Sequence, residues 1–254
     1  MDNWAAAYVD GEHVTVWELQ AEQVLACKDV PVTAFTDYAA KIQGPIIACG
    51  LPGPSRIVPC TPFETVGATS ISSNIAAVPA LAQHNPPAIS SGLETVITGY
   101  LSVNPVFEGV ICVHGAATLW AQVSAGEVVS FQTYLTPELI TALAGAQHPT
   151  DRFCDAVSDT LSHPDRLARQ LSSARTMNAP DRVTGHLVGA ELAAAKPYWL
   201  GQQIVMIGNL TDLYTKALQM QGVEVAVAPW EDMMLNGLKV AYAVVAAVPD
   251  RPAN

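Results

Sequence analysis

Residues 109–139 decide the fold and read GVICVHGAATLWAQVSAGEVVSFQTYLTPEL. Three apolar runs (110–113, 117–123 and 127–134) are separated by breaks at His114-Gly115 and at 124–126. Runs of this length between glycine-containing turns predict a meander of three strands. A helix is predicted next, with Thr136 as its N-cap and Pro137 at the first helical position, where the missing N–H costs nothing.

The rest of the chain alternates helices and strands. Helical periodicity covers 151–175 and 180–197, and the following segments predict a strand, a helix, a strand and a helix at 203–207, 209–221, 223–227 and 231–247. Three strands, a helix and two strand–helix units are the order of a ribonuclease-H-like domain.

The first half of the same order stands near the N-terminus. The turn Asp10-Gly11-Glu12 lies between strand patterns at 4–9 and 13–17, which is a hairpin signal. A helix at 33–43 and a strand at 46–49 follow, whereas the proline-rich segment 51–90 predicts loops.

We therefore predict an α/β fold of two ribonuclease-H-like (actin-like ATPase) domains in tandem around a cleft. The predicted domains are residues 1–104, reduced and loop-rich after residue 50, and residues 105–254. This rests on the order of elements alone, and a fold does not by itself give a function.

Composition limits the partners. The chain has 254 residues, 12 Lys and Arg against 23 Asp and Glu, a formal net charge of −11 and only 14% charged residues. An acidic chain without a basic cluster predicts no nucleic-acid partner and no anionic membrane surface. The longest apolar stretch, Val240–Val248, is about half of a membrane span.

The sequence also predicts the compartment. The first ten residues have neither a basic region nor a long apolar region, so we expect no secretory signal. Five cysteines, none in a C-x-x-C spacing, favour reduced thiols and a cytoplasmic location. A homodimer is left open.

No metal site made of protein ligands is predicted. The six histidines are scattered at positions 13, 84, 114, 148, 163 and 186, with no pair at ligand spacing. A nucleophile elbow, a Walker A sequence and a G-x-G-x-x-G fingerprint are all absent from the sequence.

The first candidate site is the turn after the strand at 203–207. Gly208 permits close approach of a ligand, and the helix that begins near Asn209 and Thr211 offers unpaired N–H groups to an anion or an adenosine hydroxyl. A plain strand-to-helix turn capped by Asn209 or Thr211 explains the same residues.

The second candidate is the break between the first two strands of the meander. The backbone amides near Gly115, together with the hydroxyl of Thr118, suit a terminal phosphate. The alternative is a hairpin turn with an exposed His114.

The third candidate is Glu94, which follows Ser90, Ser91 and Gly92 at the head of a predicted helix. A carboxylate there suits acceptance of a proton from a substrate hydroxyl or binding of a cation. A capping box, with Ser91 as N-cap and Glu94 at N3, is the alternative.

Several segments together resemble the 2-dehydro-3-deoxygalactonokinases, of the actin-like and sugar-kinase superfamily. These segments are 109–139, 184–192 (TGHLVGAEL) and 207–218 (IGNLTDLYTKAL), with further similarity at 46–50 and 92–95. The resemblance implies transfer of the ATP γ-phosphate to the 6-hydroxyl of 2-dehydro-3-deoxy-D-galactonate in galactonate breakdown, with ATP and Mg²⁺ as cofactors and a sugar acid as the small-molecule partner.

The resemblance also implies roles for the candidate residues. Asp10 would be the carboxylate on the Mg²⁺ side and Glu94 would lie near the sugar, and these two are the candidate catalytic residues. Gly115 and Thr118 would contact phosphate. The adenosine site would contain Gly208, Asn209 and Thr211.

The sequence departs from the family where phosphate is bound. The family's Asp-Trp-Gly-Thr-Thr-Asn hairpin stands here as Tyr8-Val-Asp-Gly-Glu-His13, and its Pro-Gly-Thr-His-Ser-Lys-Trp segment has lost the Thr and the Lys. Its Asp-Val-Met-Arg-Gly-Glu-Glu-Thr segment stands as 88–95 without the Asp, the Arg and one Glu. Loss of one charge-stabilising group can cost about 10² to 10³ in rate. The alternative function is therefore a catalytically inactive kinase-fold protein that binds a nucleotide or sugar acid as a sensor or regulatory partner.

Overall fold

The computed structural model describes residues 3–53, 55–62, 74–143, 145 and 148–246. Parts of the predicted loop segment 51–90 and the end of the last predicted helix, at Ala247, lie outside these residues. The chain forms two compact units. Unit 1 contains the residues up to Phe107, 125–129 and those from Trp230 onward, and unit 2 contains 108–124 and 130–229.

The N-terminal elements are, in chain order, β1 (Asn3–Asp10), β2 (His13–Gln20), β3 (Gln23–Pro31), α1 (Val32–Ala39), β4 (Ile46–Cys49), β5 (Ser55–Ile57), β6 (Ile75–Ala77), β7 (Ala80–His84), β8 (Pro87–Ile89) and α2 (Leu93–Val103). Five of the strands form a sheet in the order β3-β2-β1-β4-β6. β1, β2 and β3 form an antiparallel meander, whereas β4 runs parallel to β1 and β6 runs parallel to β4. A second, small sheet has the order β5-β7-β8.

The following elements are β9 (Gly109–His114), β10 (Thr118–Ser124), β11 (Glu127–Tyr134), α3 (Thr136–Ala142), α4 (Asp151–Ser162), a 3-10 turn (Pro164–Arg166), α5 (Leu167–Thr176), α6 (Pro180–Ala194), α7 (Lys196–Trp199), β12 (Ile204–Gly208), α8 (Thr211–Gln219), β13 (Val225–Ala228) and α9 (Trp230–Ala246). Their sheet has the order β11-β10-β9-β12-β13. β9 and β10 are antiparallel, and β12 runs parallel to both β9 and β13.

The two sheets therefore repeat one topology, a meander followed by two parallel strands. This confirms the predicted fold class of two tandem ribonuclease-H-like domains. The central strands read as nearly continuous apolar runs because both faces of a parallel strand are covered. β4 and the first four residues of β12 are fully buried in this way.

Helix α9 packs on α2 and belongs to unit 1. Glycine makes the packing close, because a Cβ on Gly99 would overlap the Met233 carbonyl and one on Gly237 would overlap the Thr95 carbonyl. The predicted C-terminal domain had included this helix. The division at residues 104 and 105 otherwise stays a prediction.

Other predicted elements needed correction. No strand had been predicted at β3. Loops had been predicted where β5, β7 and β8 form the small sheet and where β6 joins the large one. The N-cap of α3 is Leu135, without a side-chain cap, so the predicted Thr136 cap is wrong. Within the described residues, no helix is both long and apolar enough to cross a membrane.

Candidate functional site

The carboxyl ends of β1 and β4 lie at the same edge of the unit 1 sheet, because the strands are parallel and Tyr8 pairs with Cys49. The N-terminus of α2 meets this edge. A Cβ on Gly92, which precedes α2 at a φ of +95°, would lie 3.0 Å from the Gly50 nitrogen and 3.0 Å from Cε2 of Tyr8. Glycine at position 92 thus lets the start of α2 touch both strand ends.

Glu94 is fully buried in the first turn of α2. Its Oε2 accepts hydrogen bonds from the Gly92 backbone N–H at 2.9 Å and from the Ser90 hydroxyl, and the Ser90 oxygen in turn accepts one from the Leu81 N–H at 2.8 Å. Its Oε1 is buried and has no hydrogen-bond partner. One oxygen is therefore fixed and the other is free to receive a proton or a donor.

The capping-box alternative is wrong for this helix. The N-cap is Gly92 in a left-handed conformation, with no side-chain cap, and Ser91 is exposed at a φ of +48°. Glu94 instead bonds back to Gly92 and Ser90. The carboxylate is held by the loop in front of the helix, which leaves its second oxygen unused.

Burial raises the pKa of Glu94 to about 7, although Ser90, the backbone and the positive charge of Arg56 act in the opposite direction. A carboxyl group with such a pKa exchanges a proton readily at neutral pH. The neighbouring Tyr8 is affected as well: burial, followed by the charges of Asp10, Cys49 and Glu94, raises the pKa of its phenol far above the usual range.

Asp10 is exposed at the last position of β1, where it pairs with His13 in the hairpin. Its charge acts on the same Tyr8 phenol as that of Glu94. The structure thus brings the two predicted catalytic residues to one edge of unit 1, with Asp10 open to solvent and Glu94 enclosed.

The second candidate region is the corresponding edge of the unit 2 sheet. His114, at the end of β9, pairs with Gly208, at the end of β12. Gly208 has a φ of +132°, and a Cβ there would overlap the His114 carbonyl oxygen. Close approach of two strands therefore explains this glycine without a ligand.

The predicted nucleotide residues lie where that strand turns into α8. Asn209 is exposed, and the Thr211 hydroxyl donates a 2.5 Å hydrogen bond to the Gly208 carbonyl. The N-cap of α8 is Leu210, so neither Asn209 nor Thr211 caps the helix as the alternative predicted. Gly115 lies at the same edge, where its N–H bonds to the Ala117 carbonyl at 3.0 Å.

Thr118 also lies at this edge, where it pairs with His114, but its side chain is enclosed. It is fully buried, and its hydroxyl lies 3.3 Å from the Tyr214 hydroxyl. His114 is buried as well, not exposed as the alternative predicted, and burial lowers its pKa to about 3. The imidazole is therefore neutral at pH 7 and brings no positive charge to a phosphate.

A second buried carboxylate, Glu191 of α6, was missed by the sequence analysis. Its Oε1 accepts a hydrogen bond from Nε1 of Trp120 at 2.8 Å, and its Oε2 accepts one from the Tyr214 hydroxyl at 2.7 Å. The side chains of Thr136 and Thr118 also hydrogen-bond to it. Burial still raises its pKa.

Across the described residues, no group of three or more His, Cys, Asp or Glu side chains is arranged to hold a metal ion. Magnesium in phosphoryl-transfer sites needs only one or two carboxylates besides the phosphates. Asp10 fits that need because its carboxylate is exposed at the strand end.

Comparison with known proteins identifies the family. The family model described as 2-keto-3-deoxy-galactonokinase matches residues 13–241. The chain belongs to this family. The probable 2-dehydro-3-deoxygalactonokinase DgoK1 of Rhizobium meliloti (strain 1021) is 28% identical over 236 residues, which cover 78% of this chain and 77% of that protein.

Solved structures agree on the fold. A Sinorhizobium meliloti protein described as a 2-dehydro-3-deoxygalactonokinase superposes with a TM-score of 0.83 at 22% identity, covering 96% of this chain and all of that one. Component A of the (R)-2-hydroxyglutaryl-CoA dehydratase of Acidaminococcus fermentans has a TM-score of 0.50 at 13% identity, covering 97% and 100%. Both likenesses concern the fold.

Proposed function

We propose that this family member is an active kinase that transfers the γ-phosphate of ATP to the 6-hydroxyl of 2-dehydro-3-deoxy-D-galactonate. Family membership and the name of the Rhizobium relative support the reaction and the substrate. The observation that carries activity is Glu94, whose buried Oε1 lacks a partner at the edge where β1, β4 and α2 meet. An unpaired buried carboxylate oxygen is costly, and a proton accepted there from the substrate would account for it.

Glu94 is assigned the role of general base. The 6-hydroxyl oxygen forms a bond to the γ-phosphorus, the bond from that phosphorus to the bridging oxygen of ADP breaks, and the hydroxyl proton passes to Oε1 of Glu94. The Ser90 hydroxyl and the Gly92 N–H hold the other oxygen and so orient the carboxylate. General-base assistance of this kind contributes typically about 10² to 10⁴ in rate.

The remaining predicted residues receive binding roles. Asp10 would hold Mg²⁺, which when bound would offset the negative charge of the phosphates. The backbone at Gly115 would contact phosphate, and the turn formed by Gly208, Asn209 and Thr211 would receive adenosine at the N-terminus of α8. Thr118 is left out, because its hydroxyl is enclosed with Tyr214 and Glu191. We also infer a cytoplasmic location, which suits the five free cysteines.

The test is release of ADP from ATP·Mg²⁺ with a panel of 2-keto-3-deoxy sugar acids and neutral sugars. We expect ADP release that depends on a sugar acid, at the roughly 1 to 100 s⁻¹ usual for kinases. Glu94→Gln should lower kcat about 10²- to 10⁴-fold, whereas Glu224→Gln, at an exposed position of unit 2, should leave it unchanged. If calorimetry showed binding of ATP·Mg²⁺ or of a sugar acid but no ADP were released, the proposal would be wrong. The protein would then be the catalytically inactive sensor.

A further inference from the structure

Arg56 is a half-buried cation of β5 that the sequence analysis did not select. One terminal nitrogen, Nη1, donates a 2.6 Å hydrogen bond to the Thr61 carbonyl, and the other, Nη2, donates one of 3.2 Å to the Pro62 carbonyl. Two bonds to consecutive carbonyls fix the plane of the guanidinium group.

This guanidinium group is tied to the helix that carries Glu94. The Pro62 carbonyl, which accepts from Arg56, also accepts a 3.1 Å hydrogen bond from the Thr98 hydroxyl on α2. The same Thr98 oxygen lies 2.9 Å from the Glu94 carbonyl, one helical turn earlier. Arg56 and Glu94 are thus connected through Pro62 and Thr98, and the charge of Arg56 lowers the pKa of Glu94.

Arg56 also has an unused donor. Its Nε is buried and has no hydrogen-bond partner. A guanidinium group carries five N–H donors in a planar fork that matches a carboxylate. An unpaired buried donor is costly, and an acceptor supplied by a ligand would satisfy the Nε–H of this fixed arginine.

A sugar-acid substrate needs such a cation. Its carboxylate would approach an edge that already holds Asp10 and Glu94, and the sequence has no Lys or Arg between residues 85 and 125. Resting on the proposed function, we propose that Arg56 binds the carboxylate of the sugar acid and thereby sets the preference for acids over neutral sugars. The two hydrogen bonds to the Thr61 and Pro62 carbonyls pre-orient the guanidinium group of Arg56 for this contact.

The test compares two substrates in each variant. With the sugar acid, Arg56→Met should raise KM roughly 10- to 100-fold, the range expected for a lost charged hydrogen bond. With the neutral analogue, in which a hydroxymethyl group replaces the carboxylate, KM should be unchanged, as should KM for ATP. Arg56→Lys keeps the charge and should fall between Arg56→Met and the unmodified protein.

Thr98→Val is the structural control. It removes the bond that anchors the Pro62 carbonyl to α2 but keeps the guanidinium group, so it should lower the melting temperature and leave the ratio of the two KM values unchanged. An equal rise of both KM values in Arg56→Met would reduce Arg56 to a structural role and overturn the proposal. No rise in either value would overturn it as well.

Failure of the proposed kinase activity is distinguishable from failure of this inference. If the unmodified protein releases no ADP with any sugar acid, calorimetry with the sugar acid alone still tests Arg56. Binding by the unmodified protein that Arg56→Met loses would support the carboxylate contact without catalysis. Equal binding by both proteins, or no binding by the unmodified protein, would contradict it.

Discussion

Two buried carboxylates, one in each unit, differ in how completely they are hydrogen-bonded. Glu94 has two donors on Oε2 and none on Oε1. Glu191 has the Trp120 indole on one oxygen and the Tyr214 hydroxyl on the other, with threonine side chains besides. Burial raises the pKa of both groups. Burial and pKa alone would therefore assign them the same role.

Hydrogen-bond satisfaction separates the two. A buried carboxylate with both oxygens occupied ties its own helix to the elements that supply the donors, here α6 to β10 and α8. An unoccupied buried oxygen costs stability, and such defects concentrate where function requires them. The two units repeat one sheet topology, yet unit 1 keeps its unpaired oxygen at the strand ends and unit 2 uses its carboxylate inside the core.

The largest expected effect is an opposite response of the two carboxylates to the same substitution. Glu94→Gln should lower kcat about 10²- to 10⁴-fold without lowering the melting temperature at neutral pH. Glu191→Gln should lower the melting temperature, because one amide cannot accept from all the donors, and should leave kcat near that of the unmodified protein. Steady-state kinetics and calorimetry on both variants check this. If Glu191→Gln lost more kcat than Glu94→Gln, Glu191 and not Glu94 would be the catalytic carboxylate.

Sequence reasoning found Glu94 but not Glu191, and the reason is physical. Glu94 follows two serines and a glycine at a helix start, a local pattern that marks a carboxylate with a special environment. Glu191 lies in the apolar helical run Leu187–Leu192, and its partners Trp120 and Tyr214 are 71 and 23 residues away in the chain. A lone acidic residue of this kind acquires its role only through tertiary packing.

Arg56 was missed for a similar reason. Its link to Glu94 runs through Pro62 and Thr98, and the surrounding proline-rich segment gives no periodic signal. The strands of the two large sheets were predicted well where they are apolar on both faces, as at Ile46–Cys49. β3 was missed because Gln23–Leu25 and Cys27–Asp29 are exposed, so the strand shows no buried alternation.

The pH dependence of stability is the second way to test the comparison. The pKa of Glu94 is about 7 in the folded protein, against the usual 4.5. Between those values the folded state binds more protons than the unfolded state, so this contribution to the free energy of unfolding falls as pH rises. The total loss is roughly 3 kcal/mol and is complete above about pH 7.

Glu94→Gln removes this pH dependence of the free energy of unfolding. Relative to the unmodified protein, the variant should gain roughly 3 kcal/mol between pH 4.5 and 8, measured by denaturant titration at each pH, with the exposed Glu224→Gln as control. In the kinase assay, kcat/KM of the unmodified protein should rise with pH and level off above about 7, because the base must be deprotonated. If kcat/KM did not change between pH 5 and 8, Glu94 would not be the general base.

The glycines before the two helices give a smaller effect. Gly208→Ala should lower the free energy of unfolding by about 3 kcal/mol, since its Cβ would overlap the rigid His114 carbonyl. Gly92→Ala should cost about 1 to 2 kcal/mol, because its Cβ contacts at 3.0 Å are tight but include the end of the Tyr8 ring. Denaturant titration ranks them. Gly92→Ala should nonetheless be the variant that loses more activity, since it displaces the N–H bonded to Glu94.

The smallest expected effect on stability comes from removing a hydrogen-bond donor from Glu191, so that its carboxylate is less fully paired, as that of Glu94 is. Tyr214→Phe removes the donor at 2.7 Å from Oε2, which leaves a buried carboxylate oxygen with fewer partners and should cost about 1 to 3 kcal/mol of stability. Tyr198→Phe is the matched control, because it loses a 3.2 Å bond to the uncharged Ser130 hydroxyl and should cost about 1 kcal/mol or less. If the two variants were equally stable, the Glu191 network would contribute nothing beyond ordinary hydrogen bonds. An unpaired carboxylate oxygen would then have no measurable cost in stability. Glu94 and Glu191 would differ only in where they lie in the fold, not in how their hydrogen bonding affects stability.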